Sequence, residues 1–126
     1  MTWYKTLTQP LLTPPAWIFP PAWVILYTMI FISFITFAVK PSTESKGWGY
    51  IIFFTQMILN LSWSPIFFYL HNIGLALAII VIMDILVLIN IIEFLKISKT
   101  AGLLLIPYLI WIIFATYLNA GFFLLN

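Results

Sequence analysis

Three stretches of this 126-residue chain carry no charged side chain: Thr6 to Val39, Gly47 to Met83 and Thr100 to Asn126. Each is longer than the roughly 20 apolar residues that a helix needs to cross about 30 Å of hydrocarbon. A buried core helix of a soluble protein would be shorter and would be flanked by amphipathic helices, which the sequence lacks. With 64% hydrophobic and only 6% charged residues, the chain reads as all-α, an integral membrane helical bundle embedded in the lipid bilayer.

Composition also removes whole classes of chemistry. There is no cysteine, so neither disulfides nor thiolates contribute. The basic residues are five lysines, too sparse for a nucleic-acid surface. His71 stands in a turn with no carboxylate near it in sequence, and there is no glycine-rich phosphate loop and no serine–histidine–acid set. No metal site and no obligatory cofactor are expected. A cleavable signal peptide is not expected either, because Thr13 to Pro21 is rich in proline and aromatics rather than small residues. Many isoleucines and no arginine point to an AT-rich coding genome, hence to a bacterial inner (cytoplasmic) membrane.

The chain divides into a single transmembrane domain, 1–126, with an extramembrane lead-in over 1–16 and four transmembrane helices over about 17–39, 48–70, 73–95 and 101–124. Pro20 and Pro21 fall in the first turn of the first helix, where a missing N–H costs little. Lys40, Lys46, Lys96 and Lys99 lie in the loops after the first and third helices, against only Lys5 on the other side. The positive-inside rule therefore predicts that these loops are cytoplasmic and that the lead-in and C-terminus face outward.

Polar residues inside spans normally face the bundle interior. Gln56, Asn60, Trp63 and Phe67 form one stripe on the second helix, and Pro107, Trp111, Ala115 and Asn119 a matching one on the fourth. On the first helix Trp23 and Tyr27 share a face, with Phe19 above them. These stripes read either as interhelical hydrogen bonding or as the wall of a pocket, two amides beside aromatics, with Ala115 as a small residue that admits a neighbouring helix or leaves space for a flat ligand. Trp17 and Trp48 lie at helix ends as interface anchors, whereas Trp23, Trp63 and Trp111 sit deeper. Asp84, midway along the third helix, would cost roughly 2.5–3.5 kcal/mol if charged; a neutral side chain hydrogen-bonded to another helix is expected. Glu93 and Lys96 reach the interface at the end of that helix.

The strings WYKTLTQPLLTPPAWIFPPAWVILY, QMILNLSWSPIFF and IPYLIWIIFATYLN resemble the translocator protein, or tryptophan-rich sensory protein (peripheral benzodiazepine receptor), family. The resemblance runs over essentially the whole chain, in order and with the family's spacing. It implies a bundle of five helices, usually a homodimer, whose pocket takes porphyrins, haem-related tetrapyrroles and isoquinoline or benzodiazepine drugs. By motif the pocket positions are Tyr4, Pro14, Phe19, Trp23, Tyr27, Gln56, Asn60, Trp111, Ala115 and Leu118, to which the helical stripe adds Trp63. Measured against that pattern, the chain begins in the loop that follows the family's first helix. Gln9 replaces the usual basic residue, Leu11 or Leu12 the usual tryptophan, and Ala120 and Leu124 stand where the cholesterol motif needs an aromatic and a basic side chain. Cholesterol recognition is therefore not carried over.

The expected function is a membrane receptor or binding protein for tetrapyrroles and similar flat hydrophobic ligands, serving sensing or transport. Aromatic side chains would stack on the macrocycle while the two amides hydrogen-bond its propionates or pyrroles. The alternative implied by the resemblance is a porphyrin-degrading photo-oxidative enzyme that uses Trp23 and Trp111. A small multidrug exporter, which would need an acidic residue in the first helix, is excluded.

Overall fold

A computed structural model of the protein describes residues 7–10, 13–14 and 16–126; Tyr4, one of the expected pocket residues, lies outside them. A 3₁₀ turn, Ala16–Ile18, leads into α1, Phe19–Val39. Then come α2, Gly47–Ser64, extended by a π-helical turn over Pro65–Tyr69, and α3, Ile73–Ile97. The short α4, Lys99–Leu104, is followed by α5, Ile106–Leu125. Among the described residues, four segments are long and apolar enough to cross a membrane: Phe19–Val39, Gly47–Tyr69, Ile73–Ile97 and Lys99–Leu125. In lipid, helices are the way for such segments to satisfy their own backbone groups, and the fold is an all-α transmembrane bundle.

Prolines explain where the spans depart from single regular helices. Pro65 has no N–H to offer the Leu61 carbonyl, and the helix widens locally: Leu70 N donates to Pro65 O, five residues back, at 3.1 Å. The following turn is as tight as the sequence suggests. His71 takes a left-handed φ of 52°, and the Asn72 side chain caps α3 by accepting from Leu75 N at 3.0 Å. The fourth span, expected as one helix from 101 to 124, begins earlier at Lys99, with Ser98 as its N-cap, and is interrupted at Leu105. Pro107 cannot donate to Leu103, so the join tightens to a bond from Leu105 N to Gly102 O at 3.2 Å.

The third span is the centre of the bundle, with α3 packed on α2 along one side and on α4 and α5 along the other. α1 reaches the fourth span chiefly through α4, where Ser33 Oγ donates to Ala101 O at 2.6 Å in a buried contact. The half of the bundle near the lysine loops is filled by aromatic stacking. The Phe37 and Phe94 rings lie 4.1 Å apart and nearly parallel, and α2 approaches so closely that a Cβ on Gly49 would come within 2.5 Å of the Phe37 ring. Lys46 Nζ donates to Ala38 O and Lys40 O, closing the free carbonyls at the end of α1. Large apolar side chains such as Phe31, Ile58 and Ile110 point outward toward lipid.

Asp84 meets the fourth span at Thr116. Thr116 Oγ1 lies 2.7 Å from both Asp84 Oδ2 and Ile112 O. A hydroxyl has one proton. That proton is shared between the Asp84 carboxyl on α3 and the Ile112 carbonyl, so Thr116 ties α3 to α5.

An aromatic cavity at the lead-in end

The start of α1, the π turn of α2 and the end of α5 come together at the same end of the bundle. Between them lies a cavity of about 600 Å³, within the range typical of small-molecule sites. Phe19, Trp23 and Tyr27 line it from α1; Asn60, Trp63, Phe67 and Phe68 from α2 and its π turn; Trp111, Ala115, Leu118 and Asn119 from α5. The helical spacing of each stripe is what gathers these side chains, since residues three or four apart share a face. Trp23 and Tyr27 stack with centroids 5.5 Å apart, and Trp111 meets Phe19 and Trp23 edge-on at 5.9 and 6.3 Å.

Asn60 and Asn119 line this space while also bonding to neighbouring side chains or backbone, and Gln56 lies behind it. Gln56 is fully buried and lies outside the cavity lining: its Oε1 accepts from Tyr108 Oη at 2.8 Å and its Nε2 donates to Asn90 Oδ1 at 3.4 Å. Asn60 reaches the cavity, but its Oδ1 accepts from the Tyr27 hydroxyl and its Nδ2 donates to Tyr108 Oη at 2.8 Å. Asn119 accepts from Trp63 Nε1 at 2.9 Å and donates to Ile73 O at 3.1 Å. The two readings of the stripes thus divide: the aromatics form a wall, and the amides hold helices together. One hydrogen-bonded chain, Tyr27–Asn60–Tyr108–Gln56–Asn90, passes through all four spans.

Pro14 is half-buried in the lead-in and is not among the lining residues. Pro107 is exposed, whereas its neighbour Tyr108 is fully buried. Steps of four residues advance a helix by slightly more than one turn, so the stripe Trp111–Ala115–Asn119 has rotated onto the lipid side by the time it is traced back to Pro107. Tyr108, Phe68, Tyr69 and Phe122 belong to the site or its support and carried no periodic signal that singled them out. The lead-in is tied over this end of the bundle. Thr8 N donates to Asn126 Oδ1 and Asn126 Nδ2 to Thr8 O, both at 3.0 Å, and Pro10 is buried so closely against Gly121 that a Cβ there would lie 2.4 Å away.

The fold and site together are those of a membrane-embedded helical bundle with an aromatic, mostly apolar cavity at one end. The profile of the TspO/MBR family matches residues 1–125. The chain is 42% identical to the tryptophan-rich protein TspO of Archaeoglobus fulgidus, across 99% of this chain and 80% of that protein. It is 37% identical to the tryptophan-rich protein TspO of Chlorobaculum tepidum, across 98% and 79%. The human translocator protein is 31% identical, across 94% of this chain and 72% of the human protein. This chain belongs to the TspO/MBR family.

Proposed function

We propose that the protein is a membrane receptor for flat hydrophobic ligands of the tetrapyrrole class, porphyrin or haem-related, serving sensing or transport. The observation that carries this reading is the aromatic wall of the cavity. Trp23, Tyr27, Trp63 and Trp111 face a space of about 600 Å³ from three spans, and planar rings gain from stacked and edge-on contacts with a planar ligand. Because Asn60 and Asn119 already hold protein partners, the macrocycle is held by stacking and apolar burial, with its propionates left toward the lead-in end. Isoquinoline-type drugs fit the same description. The lysine positions support an orientation with that end outside a bacterial inner membrane, and the family resemblance extends the proposal to a homodimer.

The test uses protoporphyrin IX as probe. Titrated into the purified protein in the dark, it should quench tryptophan emission saturably in the micromolar range, since Trp23, Trp63 and Trp111 line the site. Absence of saturable quenching by a protein with an intact helical melt would reject the assignment. Loss of the porphyrin absorbance under illumination, abolished by Trp23→Phe or Trp111→Phe, would favour the photo-oxidative enzyme instead.

A further inference from the structure

A second hollow lies on the other side of Trp111. It is a groove of about 570 Å³ between α1 and the fourth span, lined by Ala22, Ile25, Pro107, Ile110, Trp111 and Phe114. It opens toward lipid: Ile25 and Ile110, on its two banks, are 61% and 64% exposed. Nothing covers it from within the bundle, because α1 meets the fourth span chiefly lower down, at α4. Trp111 is the one residue that lines both the groove and the aromatic cavity, so its indole is the partition between them.

The two deep tryptophans of the fourth and second spans are held differently. Trp63 is fixed by a hydrogen bond from Nε1 to Asn119 Oδ1 at 2.9 Å. The Trp111 Nε1 is buried with no hydrogen-bond partner among the described residues, and the ring is kept in place by edge-on and tilted contacts with Phe19, Trp23 and Phe114. Such contacts are exchangeable for contacts with another aromatic ring. Ala115, one turn along, and Ala22, across the groove, leave room beside the indole.

We infer that the groove is a lateral portal through which a planar apolar ligand dissolved in the bilayer passes into the cavity, with Trp111 as its gate. The inference rests on the cavity being the ligand site. The occupant is the same ligand in transit: hydrophobic planar molecules concentrate in the hydrocarbon layer, and the groove presents them with a wholly apolar surface at that depth. The unpartnered indole N–H offers a transient donor to a ring nitrogen or carbonyl as the indole turns.

A portal changes how fast a ligand arrives and leaves without changing how well it is held. Ala22→Phe fills the groove at a position that does not line the cavity, and Ile110→Ala widens its lipid-facing bank. With protein reconstituted in phosphatidylcholine vesicles preloaded with protoporphyrin IX, and quenching followed in time, Ala22→Phe should slow association and dissociation together by about tenfold at unchanged affinity. Ile110→Ala should speed both. Wild-type protein that shows no saturable quenching would reject the cavity as the site. Saturable wild-type quenching with rates unaltered in both variants would reject the portal alone and leave the lead-in end as the route. An affinity loss confined to faster dissociation would also overturn it, by making the groove part of the binding wall.

Discussion

Ala115 shows how much one residue decides at this site. It lies on α5 between Trp111 and Asn119, it is only 7% exposed, and it lines the cavity. On the reading that its face belongs to the cavity, a larger side chain at this position takes up space that a ligand would occupy. Ala115→Leu should lower protoporphyrin affinity by about tenfold, roughly 1.4 kcal/mol, while the melting temperature holds or rises because leucine gains contacts with the wall. Both quantities are read on the same purified variant. Overpacking of a tight helix contact would instead cost about 1–3 kcal/mol of stability, so a destabilised variant with normal affinity would show that the alanine is a packing residue.

Among the elements, the hydrogen-bonded chain through Tyr108 is what sets the helices against one another. Tyr108 Oη accepts from Asn60 on α2 and donates to Gln56 one turn below it, while Gln56 continues to Asn90 on α3 and Asn60 accepts from Tyr27 on α1. Side-chain bonds between membrane helices average about 0.6 kcal/mol and reach about 1.7. Removing one hydroxyl here strands two buried amides at once, which moves the loss toward the upper end. Tyr108→Phe should therefore destabilise the bundle by about 1–2 kcal/mol in a reversible denaturation in detergent micelles. Porphyrin affinity should change little, because Tyr108 is not a lining residue. A neutral effect on stability would show that the amides find other partners when the hydroxyl is gone.

For the molecule as a whole, charge placement and cavity placement make a joined statement. The cavity lies at the end shared by the start of α1, the π turn and the end of α5, while Lys40 and Lys46 in the loop between α1 and α2, and Lys96 and Lys99 at the junction of α3 and α4, lie at the opposite end. If those loops are cytoplasmic, the cavity faces outward. Single cysteines introduced at Thr8 and Ser42, both exposed, should react differently with a membrane-impermeant maleimide in intact cells. Thr8→Cys should label and Ser42→Cys should label only after lysis. The reverse pattern would turn the cavity toward the cytoplasm and reassign the direction of sensing or transport.

The helical class, the four spans and most of the cavity wall were legible in the sequence for a simple reason. Uncharged runs of membrane-spanning length have few folds open to them in lipid, and helical spacing places Trp23 with Tyr27, and Trp111 with Ala115, on common faces whatever the neighbours do. Periodicity says which residues share a face but not what that face meets. Whether Gln56 and Asn60 addressed a ligand or neighbouring helices depended on where Tyr108 and Asn90 arrived from other spans, and hydrogen-bond partners across 34 to 52 residues leave no trace in local spacing. The same holds for the break at Leu105 and the π turn after Pro65, where proline marks the position but the packing around it sets the shape. Sequence alone set Trp23, Trp63 and Trp111 deeper in the spans than Trp17 and Trp48; only the tertiary structure pinned Trp63 to Asn119 and left Trp111 without a hydrogen-bond partner among the described residues, as a partition between a cavity and the lipid.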